Sequence, residues 1–230
     1  MRFNPPLSAG RLKRRYQRFL ADVDIAGRIE TVHCPNPGSM LGLDEPGSPV
    51  WLSVGASPDR KYRFGWELVQ AAGSLVGINT GQANGLVAEA LARGRLKPLA
   101  GYEAVRREVV YGEGSRIDFL LEAPNRPPCY VEVKSVTLAR HPPLAEFPDS
   151  VTARGSRHLR ELAAVAGRGG RAVMLFLVQR ADCRQVEVAR DIDPAYGRAF
   201  DAARRAGVEM LAYGCELSPM AIEVASPLQI

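Results

Sequence analysis

Apolar and polar residues alternate with period two along Ser115-Arg116-Ile117-Asp118-Phe119-Leu120-Leu121 and again along Cys129-Tyr130-Val131-Glu132-Val133-Lys134-Ser135. The intervening residues 122–128 are rich in Pro and carry Asn125, so the two runs are predicted to be strands joined by a turn. Side chains alternate across a strand, which sets Ile117, Phe119 and Leu121 on one face and Asp118 on the other. In the second run Val131 and Val133 point one way, and Glu132 and Lys134 the other. A hairpin symmetric about Asn125 places Asp118 opposite Glu132.

Before this hairpin the chain offers short β-type runs at 28–33, 50–54, 61–69 and 75–79, separated by Gly/Pro turns. With the run 11–19 they make five, which suits a small antiparallel barrel of the OB type, a fold that binds nucleic acid strands. The pattern changes after Asn79-Thr80, so a first domain is expected over 1–80 and a second over 81–230. Asn84 is expected to cap a helix through Leu86, Val87, Ala90 and Leu91 that ends at Arg93-Gly94. A strand is expected over 102–111. Residues 138–149 read as a Pro-interrupted loop long enough to border a site. The stretch 152–166 reads as a helix with Leu159, Leu162 and Ala163 inward, while Arg154, Arg157, His158 and Arg160 add positive charge to a solvent face. The apolar run 172–178 is typical of a strand covered on both faces, and Gln179 at its end is a candidate ligand contact. Asp193-Pro194 opens a helix to Ala206-Gly207, followed by a strand over 208–213.

With 46% hydrophobic residues in 230, the chain can bury a sizeable core. Its longest apolar run, 172–178, falls far short of the roughly 20 residues that cross a bilayer, so no membrane association and a cytoplasmic location are expected. Cys34, Cys129, Cys183 and Cys215 form no C-x-x-C pair and are expected simply to pack. Net charge is +5, and the first 21 residues hold six basic residues and no acidic one, which points to a polyanionic partner. Arg11, Lys13, Arg14, Arg15 and Arg18, interleaved with Tyr16 and Phe19, combine phosphate contacts with base stacking. A solvated basic face explains the same run, and Leu12, Tyr16, Phe19 and Leu20 also fit helical spacing.

Two carboxylates directly opposed across a hairpin, roughly 4.5–5.5 Å apart at Cβ, repel unless a cation lies between them. Oxygen ligands suit a hard ion such as Mg²⁺, which keeps waters and binds substrate phosphates. An ordinary Glu-Lys pair on an exposed face accounts for the spacing alone. Ile117-Asp118 followed by Glu132-x-Lys134 resembles the core of the PD-(D/E)xK nucleases, with Ile in place of the nominal Pro. The longer strings through Leu138 resemble more closely the sugar fermentation stimulation protein A (SfsA) family, described as DNA-binding and, from its fold, as nucleases. The resemblance continues through His33-Cys34-Pro35-Asn36-Pro37-Gly38-Ser39-Met40, where the family has Thr at the position of Pro37, and runs from Pro5-Pro6-Leu7 to the last strand. It implies an α/β plus all-β chain: an OB-like barrel beside a restriction-endonuclease-like mixed sheet flanked by helices. It further implies that Asp118 and Glu132, with Glu89 from the preceding helix, hold Mg²⁺ or Mn²⁺, that Lys134 orients the attacking water, and that DNA, or else RNA, is the partner. A solvated Glu89 remains an alternative. So do two other functions for the chain, a non-catalytic DNA-binding regulator of sugar metabolism genes and an RNA-binding barrel.

Overall fold

The computed structural model describes residues 1–55, 61–112 and 114–230. Five strands, β1 (Ser8–Tyr16), β2 (Leu20–Ile25), β3 (Arg28–His33), β4 (Pro49–Val54) and β5 (Phe64–Ala71), run in the order β3-β2-β1-β4-β5, and β3 pairs β5 to close the barrel. A sixth strand, β6 (Ser74–Gly77), folds back on β5. The expected run 11–19 stops as a strand at Tyr16: Gln17 and Arg18 adopt left-handed backbone, φ 49° and 62°, and turn the chain into β2, a strand the sequence expectation did not include, without Gly or Pro to mark the place. Leu12, Val23, Val32, Leu52 and Trp66 point inward as a separate core.

The second half begins with α1 (Ala83–Ala92) and continues through β7 (Ala104–Tyr111), β8 (Ser115–Glu122) and β9 (Cys129–Val136). Residues 138–149, expected as loop, form the small strands β10 (Leu138–His141) and β11 (Leu144–Phe147). Then follow α2 (Ala153–Gly167), β12 (Arg171–Val178), β13 (Gln185–Val188), α3 (Pro194–Arg205), β14 (Glu209–Ser218) and β15 (Ala221–Pro227). The main sheet is mixed, in the order β15-β14-β12-β9-β8-β7, with β12 parallel to both β9 and β14. As its unbroken apolar run requires, β12 is buried on both faces. Val173, Leu175 and Leu177 meet α1, whereas Met174, Phe176 and Val178 meet α2 and α3.

Three local readings differ from the sequence expectation. The N-cap of α1 is Gln82, and Asn79 caps the preceding 3₁₀ turn, which frees the Asn84 side chain to reach β8. Residues 1–7, grouped by sequence with the barrel, lie along the β14–β15 hairpin: Met1 bonds to Ile222, Phe3 to Met220 and Leu7 to Pro219. Lastly, Ile117 does not share a face with Phe119 and Leu121 but packs on the α2 and α3 side. The strand changes face at Asp118, opposite Glu108, whose φ is 52°.

The barrel joins the sheet through Gln179, which is fully buried. Its carbonyl accepts from the Gly77 N–H at 2.8 Å and its side-chain amide donates to Ser135 Oγ at 2.8 Å. Gln179 therefore serves the seam between the two halves. A second brace lies within the barrel, where Arg15, its side chain 9% exposed, donates to the carbonyls of Asn36 (3.0 Å), Gly38 (3.0 Å) and Ser39 (3.3 Å). Asn36, itself buried, donates to the Ile78 carbonyl and accepts from the Gly38 N–H. Arg15→Ala leaves these carbonyls without donors and is expected to lower stability by about 1–3 kcal/mol in urea unfolding. Exposed Arg18→Ala is expected to stay within about 0.5 kcal/mol. Equal effects of the two would refute this division of roles.

Candidate functional site

The paired strands β8 and β9 carry the expected register, Leu121 against Cys129 through Phe119 against Val131, and there the backbone ladder stops. The next rung is made by a side chain: Asp118 Oδ2 accepts the Val133 N–H at 2.7 Å, while Oδ1 accepts from Asn84 Nδ2 at 2.7 Å. A strand that diverts its ladder bond to a carboxylate parts from its neighbour. An open cleft of about 540 Å³ lies at that point. Asp118, Glu132, Lys134 and His158 line one side of it, and the barrel turn at Asn36, Pro37 and Gly38 lines another. Of the border expected over 138–149, which is two short strands rather than a loop, Leu138 and Glu146 to Asp149 line the cleft, and the lining runs on to Thr152.

Glu132 is 3% exposed. Its Oε1 accepts from Lys134 Nζ at 2.7 Å and contacts His158 Nδ1, while its Oε2 is buried without a hydrogen-bond partner. A carboxylate oxygen can only accept, so the His158 Nδ1–H donates to Glu132 Oε1, and Arg154 Nε lies 3.3 Å from His158 Nε2. Burial opposes ionisation of Glu132, but the bonds from His158 and Lys134 outweigh it and hold the carboxyl below the ordinary range. Asp118 shifts the other way: burial and the neighbouring Glu132 charge push it up.

The basic neighbours of His158 predict a solvent face, yet it is 2% exposed and lines the cleft. Its spacing one residue before Leu159 put it at the edge of the apolar stripe of α2, the available signal. The placement of α2 is set by Asp193. That buried carboxylate accepts from the Thr152 N–H at 2.8 Å and from the Tyr196 N–H at 2.9 Å, so it ties the start of α2 to the start of α3. Thr152 Oγ1 in turn caps α2 through the Gly155 N–H.

Other sequence candidates lie elsewhere. Glu89 pairs with the Met1 amino group at 2.7 Å and with Arg93 at 2.8 Å, outside the cleft. Gln179 supports Ser135, which lines the cleft, without lining it. Within the basic run Lys13 pairs Asp24, and Arg14 and Tyr16 both bond to Asp22. Arg11 donates to the Gly47 carbonyl, whereas Arg18 is exposed. The four cysteines are free and buried, as expected. Among the described residues no group of three or more His, Cys, Asp and Glu is placed to hold a metal ion. No helix among them is long and apolar enough to cross a membrane.

Two family models match the chain: "SfsA N-terminal OB domain" over residues 14–78 and "Sugar fermentation stimulation protein RE domain" over 81–221. The sugar fermentation stimulation protein homolog of Ruegeria pomeroyi is 54% identical over 230 residues, covering 99% of this chain and 100% of its own. The homolog of Maricaulis maris is 52% identical over 231 residues, covering 100% and 98%. Among solved structures, Pyrococcus furiosus SfsA in complex with Ca²⁺ superposes with a TM-score of 0.88 at 29% identity, over 97% of this chain and 95% of that one.

The opposed shifts of the two carboxyls give a pH signature. A carboxyl whose folded pKa is raised costs stability once ionised, and that cost fades as pH falls through its folded pKa. Asp118→Asn keeps an acceptor for the Val133 N–H and removes the charge, so in metal-free buffer it is expected to raise Tm at pH 7 by about 2–4 °C. The gain should vanish below about pH 4, where the wild-type carboxyl is protonated in both states. Thermal melts across pH check this, and a gain that persists in acid would contradict it.

Proposed function

The chain belongs to the sugar fermentation stimulation protein (SfsA) family, and from that premise we propose that it binds nucleic acid, DNA foremost, and hydrolyses phosphodiester bonds with a divalent metal ion. The observation that carries the proposal is Glu132: a buried, ionised carboxylate with one oxygen unpartnered, beside Asp118 and Lys134 in a cleft. An unpaired buried carboxylate oxygen is costly unless a cation reaches it. Asp118 on one strand and Glu132-x-Lys134 on the next follow the PD-(D/E)xK order.

The residues fit a hard ion. Asp118 and Glu132 would hold Mg²⁺ or Mn²⁺, with water, the Val133 carbonyl and a substrate phosphate filling the remaining positions, because Mg²⁺ needs few protein ligands. A Ca²⁺ complex of the Pyrococcus furiosus relative supports a site for ions of this class. Bound there, the ion would polarise the phosphodiester and lower the pKa of an attacking water.

The protein's own groups supply the rest. Lys134, held by Glu132 and lying 3.3 Å from His158 Nδ1, offers its ammonium to the attacking water and to the charge that develops on the phosphate. His158 keeps Glu132 Oε1 occupied, so that Oε2 is the oxygen left for the ion. The barrel, with Arg18 and the outer parts of Lys13 and Arg14, contributes sequence-independent phosphate contacts that weaken with salt.

The test is cleavage of single- and double-stranded DNA and RNA with Mg²⁺ or Mn²⁺. Lys134→Ala is expected to slow cleavage by about 10²–10³-fold, with nucleic acid affinity changed less than about twofold. Asp118→Asn is expected to lose metal binding in calorimetry. A wild type that cuts none of these substrates would point instead to a non-catalytic DNA-binding regulator.

A further inference from the structure

The barrel turn Asn36–Met40 has no part in the chemistry above, yet its backbone is fixed with unusual completeness. Arg15 takes the carbonyls of Asn36, Gly38 and Ser39, and the Pro35 carbonyl accepts from Thr80 N at 3.2 Å and Thr80 Oγ1 at 3.1 Å. Three of the turn's carbonyls are thus tied back and the Gly38 N–H turns inward to Asn36 Oδ1, while the Ser39 hydroxyl and the Met40 N–H point the other way, donors of the kind that line an anion-binding concavity. An anion already faces it. Asp149 Oδ2, from the segment after β11, accepts from Ser39 Oγ at 3.4 Å and from Met40 N at 3.5 Å.

That carboxylate lies against the Gly38 backbone, where a Cβ would come within 2.2 Å of Oδ2, so glycine leaves the space that the oxygen fills. Both contacts are at the outer limit of hydrogen bonding, so the carboxylate is held weakly. An anionic oxygen set against backbone N–H, a hydroxyl and a bare glycine is the way phosphate oxygens are commonly cradled. Asn36, Pro37, Gly38 and Asp149 line the same cleft as Asp118 and Lys134.

We propose that the Asn36–Met40 turn is a phosphate-binding subsite for the backbone of the strand that enters the cleft, and that Asp149 occupies this subsite and is displaced by the phosphate. This rests on the nucleic acid reading and adds to it a place for a phosphate on the barrel side of the cleft. It also assigns Asp149 a gating role: its charge must leave before a phosphate can enter.

The test uses the full chain in chelator, so that hydrolysis plays no part. Inorganic phosphate is titrated into ¹⁵N-labelled protein while the Ser39 and Met40 amides are followed. A single-stranded oligonucleotide is titrated in parallel by fluorescence anisotropy. Removing one like charge at roughly 4 Å in water is worth about fivefold, so Asp149→Ala should bind both probes about fivefold more tightly, and Asp149→Asn should gain as well. Adding Ser39→Ala to Asp149→Ala should take back most of the gain. Phosphate that fails to move these amides, or an oligonucleotide affinity that is unchanged or lower in both Asp149 variants, overturns the proposal. If both probes respond while wild type cuts nothing with Mg²⁺, the subsite stands and the hydrolytic reading falls.

Discussion

The floor of the cleft depends on keeping one carboxylate ionised where water scarcely reaches. Removing an ion of that kind from water costs several kcal/mol, and an isolated Glu in such a place protonates. Glu132 escapes because two donors from different elements meet on its Oε1: Lys134, two residues on along β9, and His158 from α2. Each donor needs its own support. His158 is in place only while α2 starts where Asp193 fixes it, and Asp193 is itself a buried carboxylate that bonds to both Thr152 and Tyr196. The site is thus linked to the α2–α3 junction through a short chain of bonds.

The opening of the cleft follows from a single exchange of hydrogen bonds. β8 and β9 pair by backbone up to Phe119 and Val131, after which the Asp118 carboxylate takes the Val133 N–H in place of a carbonyl. That exchange satisfies the amide, parts the strands and shifts Ile117 to the opposite face from Phe119. It also brings Asp118 near enough to Glu132 for their charges to act on one another, so that one carboxyl is pushed up and the other held down. On the proposed reading, a cation held between them would remove that conflict.

The barrel supplies the other wall of the cleft, and here net charge is a poor guide to free charge. Arg15 is an internal strut, Lys13 and Arg14 have acidic partners on β2, and Arg11 serves a turn carbonyl. The run of cations near the start of the chain is therefore partly a means of holding a small barrel in shape. Small barrels have little apolar interior for their surface, so polar braces of this sort carry a larger share of their rigidity.

The sequence by itself determined the barrel and the mixed sheet, because period-two alternation, a doubly buried apolar run at 172–178 and an Asp-Pro helix start at 193–194 are local signals. It also determined Asp118, Glu132 and Lys134 as a group, since the hairpin register depends on a short turn between adjacent strands. Only the tertiary structure decided His158, Asn84, Asp149 and the location of Glu89 away from the cleft, for these depend on how α1, α2 and the segment after β11 dock. Docking is fixed by contacts among residues such as Thr152, Asp193 and Met1 that are far apart in the chain, and no local period encodes them.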